Sequence, residues 1–154
     1  MRSVLGIDLG TQHLKVLCYD FEARRVLAVS SSPLALDLRE GGVAEQHAGA
    51  WLEALRSAVG QVDPAVRRNV VAIGVAGQQH GFVPLDAAGE VIRPAKLWCD
   101  TSTAPQCAQL VDQLGGLQRF IALTGNGLPP GFTASKIAWL RAHEPANYAR
   151  LKTV

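Results

Sequence analysis

The chain opens on a short apolar run at residues 3–9, stopped by Gly10, and this predicts a buried strand. Residues 13–20 alternate. Leu14, Val16 and Cys18 share one face, Leu17 and Tyr19 the other, so a second strand is expected. The connection between the two is very short, which predicts an antiparallel hairpin. A polar turn at 21–24 leads into a third β-type segment over 25–38, expected to bend at Pro33. Three strands joined by tight turns make a meander. After Gly41-Gly42 the period changes. Trp51, Leu52, Leu55, Ala58, Val59 and Val62 recur at spacings of three and four, and predict a helix over 48–62 with one apolar stripe.

Asp63-Pro64 begins a short helical turn. Residues 69–76 are then almost continuously apolar, the pattern of a strand covered on both faces. Gly77-Gln78-Gln79-His80-Gly81 follows and suits no regular element. Residues 82–85, a turn at 86–89 and residues 91–92 predict a hairpin, and Leu97-Trp98 close another short strand. From Thr103 the period is helical. Helices are expected over 104–114, 117–123 and 133–143, the last carrying Ile137, Trp139 and Leu140, with a short one after Pro145. The order βββ-α-β with later helices predicts a mixed α/β domain, not a βαβ array. Residues 151–154 read as a helix running into a further strand, so the expectation is a fragment of a longer protein.

Composition sharpens this picture. A length of 154 residues gives one domain as the prior and is enough for a full core. With 48% hydrophobic and 18% charged residues, a disordered chain is excluded. The net charge of +2 is too small to argue for nucleic acid or an acidic membrane surface. Cys18, Cys99 and Cys107 form no CxxC pair, which points to free thiols in a reducing compartment. Asp8 breaks the opening apolar run too early for a leader peptide, and the apolar stretch 70–77 is too short to span a bilayer. A soluble, cytoplasmic protein without nucleic-acid or membrane partners is expected.

The P-loop, HExxH and GxSxG signatures are absent. Gly125-x-Gly127 approaches a dinucleotide fingerprint, but Pro130 stands where its third glycine belongs. Four segments carry candidate chemistry. In Gly6-Ile7-Asp8-Leu9-Gly10-Thr11-Gln12, an acid interrupts an apolar strand just before a turn. A carboxylate there either meets a cation such as Mg²⁺ held near phosphates, with the amides of Gly10, Thr11 and Gln12 facing phosphate oxygens, or caps its own turn. Gln78-Gln79-His80 lies between glycines at the carboxyl end of a strand, where ligands of open α/β sheets bind. Amides and imidazole both donate and accept, which suits a polyhydroxylated ligand; the alternative is a polar loop with a satisfied histidine.

In Trp98-Cys99-Asp100, the ring offers a face to a sugar edge and the acid an acceptor. The alternatives are a core tryptophan and a helix N-cap, with Cys99 buried and inert. Residues 124–136 read chiefly as a loop shaped by glycine and proline before a helix.

Taken together, these segments resemble the N-terminal part of the FGGY family of carbohydrate kinases. The likeness rests on GIDLGT at 6–11 with Lys15, Glu45-Gln46, GVAGQQHG at 74–81, the Leu85-Asp86 turn and IRPAxLWxD at 92–100. It continues through TGNxxxPGFTAxK at 124–136 and the His143-Glu144-Pro145 segment. The resemblance implies the actin-like, ribonuclease-H-like α/β fold, present twice in such enzymes with the active site in the cleft between, and this chain as the N-terminal part of the first copy. It implies ATP with Mg²⁺, and transfer of the γ-phosphoryl to the C5 hydroxyl of a ketose, D-xylulose. Sister kinases acting on glycerol, gluconate or ribulose, and a sugar-binding module without catalysis, are the alternatives. A homodimer is allowed. Asp8 matches the position that faces Mg²⁺ and the phosphates, with Gly10, Thr11, Gln12 and Lys15. Gln79 and His80 match the sugar-contacting pair, and Trp98 and Asp100 the wall of the sugar site. The family often shows W-N-D-x-R; here Cys99 and Ser102 replace its asparagine and arginine. The implied general base is an aspartate in a segment beyond Val154.

Overall fold

A computed structural model describes residues 2–154. β1 (Ser3–Leu9) and β2 (His13–Asp20) form the predicted hairpin, with Leu9 opposite Leu14 and Ser3 opposite Asp20. β3 (Arg25–Pro33) pairs antiparallel with β2 and completes the meander. β6 (Val70–Gly77) joins the far edge parallel to β1, giving the order β3-β2-β1-β6. α1 (Ala48–Gly60) packs on β2 and β3.

The alternation on β2 decides which face α1 covers. Leu14, Val16 and Cys18 point into a core with Leu5, Leu34, Ala54, Ala58 and Val62. Burying each large aliphatic side chain contributes about 2 kcal/mol. α2 (Pro64–Arg67) is the short turn expected at Asp63, whose carboxylate caps the Ala65 amide at 2.6 Å. The residues up to Leu36, with Ala48–Gln78, make one compact unit.

Asp37–His47 and Gln79–Val154 make a second unit. Its three-stranded sheet has the order β4-β5-β7, from β4 (Asp37–Arg39), β5 (Val43–Gln46) and β7 (Ala95–Lys96). Four helices follow: α3 (Ala104–Gln113), α4 (Leu117–Thr124), α5 (Thr133–His143) and α6 (Pro145–Arg150). Thr153 then makes a single antiparallel bridge to Leu85 where a further strand was expected. The expected hairpin at 82–92 reduces to a single bridge, Leu85 to Val91, around its turn.

Four expectations are corrected. The segment 25–38 is not one bent strand. β3 ends at Pro33, which lacks the N–H to continue a ladder, Leu34 turns into the core, and β4 belongs to the second unit. The strand ending at Leu97-Trp98 stops instead at Lys96. On α1, Leu52 lies off the stripe and 55% exposed, while Ala54 takes the inward position. The largest difference is β6. It was expected to be covered on both faces, yet Val71, Ile73 and Val75 are 52%, 62% and 74% exposed. β6 is an edge strand, at the end of the sheet opposite β3, and α1, the helix that packs on this sheet, lies over β2 and β3.

Candidate active site

The hairpin turn between β1 and β2 carries the first group of expected residues. Alternation along β1 sends Ser3, Leu5, Ile7 and Leu9 toward α1, and Gly6 and Asp8 to the opposite face. Asp8 is therefore exposed, not buried in an apolar strand as the sequence suggested. Its cross-strand neighbour is Lys15, on the same face. With Gly6, Leu17, Val29 and Gly74 they line an open hollow of about 520 Å³. Gly74 has nothing near the place its side chain would occupy, so that face is unobstructed beside Asp8.

Part of the phosphate-facing arrangement also needs correction. The Gly10 amide donates to the His13 carbonyl at 3.1 Å and is closed within the turn. A side chain on Gly10 would approach that same carbonyl to 3.0 Å, a tight contact that glycine avoids. Gln78, not singled out for this role by sequence, braces the turn from the end of β6. Its Oε1 accepts from the Thr11 hydroxyl at 3.2 Å and its Nε2 donates to the Gly10 carbonyl at 3.3 Å. The Gln12 carbonyl accepts from the Leu34 amide at 2.8 Å, tying the turn to the core.

In the second unit, Gln79 and His80 are both exposed. His80 has φ = 58°, a left-handed conformation uncommon outside glycine. Its ring stacks on Phe132 with centroids 4.2 Å apart and an interplanar angle of 18°. Trp98 is 52% exposed, so it is not a core tryptophan. Its carbonyl lies so close to Gly131 that any side chain at that position would collide with it. The 129–132 segment thus touches both residues: Phe132 meets His80, and Gly131 meets Trp98. Cys99, expected to be buried, is half-buried, while Cys18 and Cys107 are buried and all three thiols are free. Burial pushes the Cys18 thiol up from its ordinary value.

Asp100 is wholly buried, and it does not cap α3, which starts from Thr103. One carboxylate oxygen accepts from the Ser102 amide and hydroxyl, the other from the Ala44 amide at 2.9 Å and Lys96 Nζ at 3.0 Å. Burial alone would raise its pKa. The Ser102 hydroxyl, the Ala44 amide and Lys96 outweigh that and hold it below the usual carboxylate range. With serine at 102, the positive charge beside Asp100 comes from Lys96, which also donates to the Ser102 hydroxyl at 2.8 Å.

Lys96 leads into a buried network that sequence reading did not find. Glu45, 3% exposed, binds Lys96 at 3.0 Å and Arg93 and Arg39 at 2.7 Å each. Arg93 reaches on to Glu144 at 3.1 Å. Arg93 and Lys96 both lie over the Trp139 ring, at 5.2 and 4.1 Å. Lys136 was missed as well. It is wholly buried on α5, and the four-residue step to buried Leu140 was the available signal, since it puts both on one helix face.

The chain belongs to the FGGY family of carbohydrate kinases: the model of that family's N-terminal domain matches residues 3–154. The fold of its structural neighbours is the actin-like ATPase fold. Among relatives, a xylulose kinase of Streptomyces coelicolor is 40% identical over 151 residues, 98% of this chain and 31% of the relative. A xylulose kinase of Haemophilus influenzae is 35% identical over 157 residues, 97% of this chain and 32% of that protein. The solved xylulose kinase of Bifidobacterium adolescentis superposes with a TM-score of 0.84 at 31% identity, over 97% of this chain and 31% of its own. The chain thus spans about a third of the length of the relatives it matches.

Proposed function

We propose that this chain supplies the N-terminal part of the first domain of an ATP-dependent sugar kinase that phosphorylates the C5 hydroxyl of D-xylulose. The observation that carries the reading is the 40% identity, over 98% of the chain, to a protein named xylulose kinase. The geometry is compatible with it. Gln79, His80 and Trp98 present two hydrogen-bonding side chains and one half-exposed ring on a single unit, a combination suited to a hydroxylated ligand with an apolar edge. In this reading Gln79 and His80 bind hydroxyls and Trp98 covers the carbon skeleton. Asp100, with both oxygens engaged inside the protein, supports the wall from behind.

The phosphate end falls to the hairpin. No group of three acidic, histidine or cysteine residues able to hold a metal exists among the described residues. A single exposed carboxylate, Asp8, beside Lys15 on an unobstructed face nevertheless fits Mg²⁺, which keeps several waters and takes most of its remaining ligands from phosphates. When bound, Mg²⁺ neutralises charge on the transferring phosphoryl. Asp8 would orient that ion, directly or through water, Lys15 would meet phosphate oxygens, and Gly10, Thr11 and Gln12 would shape the turn. The hydroxyl proton passes to the aspartate that the family resemblance implies beyond residue 154.

The test is sugar-dependent ADP release by the whole enzyme across D-xylulose, D-ribulose, glycerol and D-gluconate. A kcat/KM for D-xylulose at least tenfold above the others is expected. A preference for another member of the panel would replace the substrate, and no turnover with any of them would refute the kinase reading.

A further inference from the structure

Resting on the sugar-site reading above, we propose that Lys136 is a positioning residue for the ketose, holding His80 and the 129–132 loop in the arrangement that binds it. The ammonium of Lys136 donates to the His80 carbonyl at 2.6 Å and to the Gly131 carbonyl at 2.7 Å. The first bond falls on a residue whose backbone is left-handed, a conformation that surrounding contacts must maintain. The second falls on the glycine packed against the Trp98 carbonyl. One buried cation therefore fixes the backbone under His80 and the segment that touches Trp98, and Phe132 in that segment stacks on the His80 ring. Thr103 and Ser135 hold the loop from its other side: the Thr103 hydroxyl donates to the Pro130 carbonyl at 2.8 Å, and Ser135 to Phe132 at 3.0 Å. This gives a role to the Pro-Gly-Phe-Thr-Ala-x-Lys segment, the loop and helix start at residues 130–136.

The clamp is sensitive to pH. Burial pulls Lys136 down to about 8, Asp100 working against the shift, Lys96 adding to it and Cys99 opposing it. Besides these three and the His80 imidazole, the titratable side chains on the helices packed against α5 are Cys107 and Asp112 from α3, and Tyr148 and Arg150 from α6. Deprotonation removes the charge from both bonds, and charge-assisted bonds are about twice as strong as neutral ones. Ketose binding therefore weakens as pH rises through 8. Stability of the fold moves the other way. The unfolded lysine titrates near 10.4, so between about 8 and 10.4 the unfolded state holds more protons and Lys136's contribution to stability rises with pH. A general loosening would move affinity and stability together; the clamp moves them apart.

The experiment uses the whole enzyme with D-xylulose and MgATP. In the wild type, ketose KM should rise about three- to tenfold from pH 7 to 9.5 while ATP KM changes less than twofold. Lys136→Met should raise ketose KM at pH 7 by about tenfold or more and flatten that profile, and Lys136→Gln, a shorter neutral donor, should fall between. Leu140→Ala, a buried core change one turn along the same helix, should lower thermal stability and leave ketose KM within twofold. A crystal structure of Lys136→Met should show His80 out of its left-handed conformation, a readout that needs no activity. A flat wild-type ketose KM profile, or a Lys136→Met structure with His80 and the loop unmoved, overturns the proposal. Wild-type inactivity on every sugar in the panel, with His80 displaced in the variant, would instead sink the substrate reading and leave the clamp standing.

Discussion

At the scale of single residues, Asp8 and His80 carry separate duties and their loss should read differently. Asp8 stands exposed beside Lys15, so removing its charge disturbs an ion and its phosphates without unpacking the core. In the whole enzyme Asp8→Asn should lower kcat by about a hundredfold or more with ketose KM within threefold, as expected when an interaction made in the transition state is removed. Normal turnover would show that Asp8 only shapes its turn. His80→Ala should do the reverse. Leaving a polar partner unpaired costs about 1–3 kcal/mol, roughly five- to hundredfold in ketose KM, with ATP KM nearly unchanged. If the variant matches Val75→Ala in ketose KM and differs only in melting temperature, the sugar role of His80 fails. Asp100 makes a third case, visible in stability. Its depressed pKa means its contribution is complete above the unfolded value near 3.9 and lost as pH falls through the folded value. Asp100→Asn should therefore cost about 3 kcal/mol at pH 7, as breaking a buried pair does, and the gap to wild type should shrink below pH 4 in urea denaturation. A gap that persists unchanged at pH 3 would assign the loss to packing.

At the scale of elements, the β1–β2–β3 meander and α1 were legible because each announces itself locally: alternation on β2, a three-four stripe on α1. β6 was legible as a strand and misread in its surroundings. A continuous apolar run records what the strand is built to touch, and Val71, Ile73 and Val75 lack that cover in this chain. An exposed apolar edge strand templates pairing with other chains. Purified residues 1–154 should self-associate at micromolar concentration, and Ile73→Lys should reduce this while leaving the circular dichroism spectrum unchanged; a monomeric wild-type chain by sedimentation would contradict it. The candidate site was legible only as motifs whose residues the structure leaves exposed, as at His80 and Trp98, whose sugar role is a proposal. It was not legible where function runs through backbone carbonyls or distant charges. Nothing local marks Gln78 as the brace of the Gly10 turn, or Glu45 as the partner of Arg93 and Lys96, because these pairings are long-range. Lys136 hid for a further reason: a lysine among apolar residues reads as solvent-facing unless its helical register is followed to Leu140.

At the scale of the whole molecule, the chain covers 31% of the Streptomyces coelicolor relative, and the family resemblance puts the general base and a second domain in the remainder. Residues 1–154 alone should show no sugar-dependent ADP release, and robust release would remove that assignment of the base. The central claim, phosphorylation of D-xylulose at C5, is tested most directly by product analysis. The whole enzyme is given MgATP and an equimolar mixture of D-xylulose, D-ribulose, glycerol and D-gluconate, and the phosphorylated products are identified by ³¹P–¹³C correlation. The account predicts one dominant product, with phosphorus coupled to C5 of xylulose. A phosphorylated polyol or gluconate as the main product, or phosphorus on another carbon of xylulose, would contradict it.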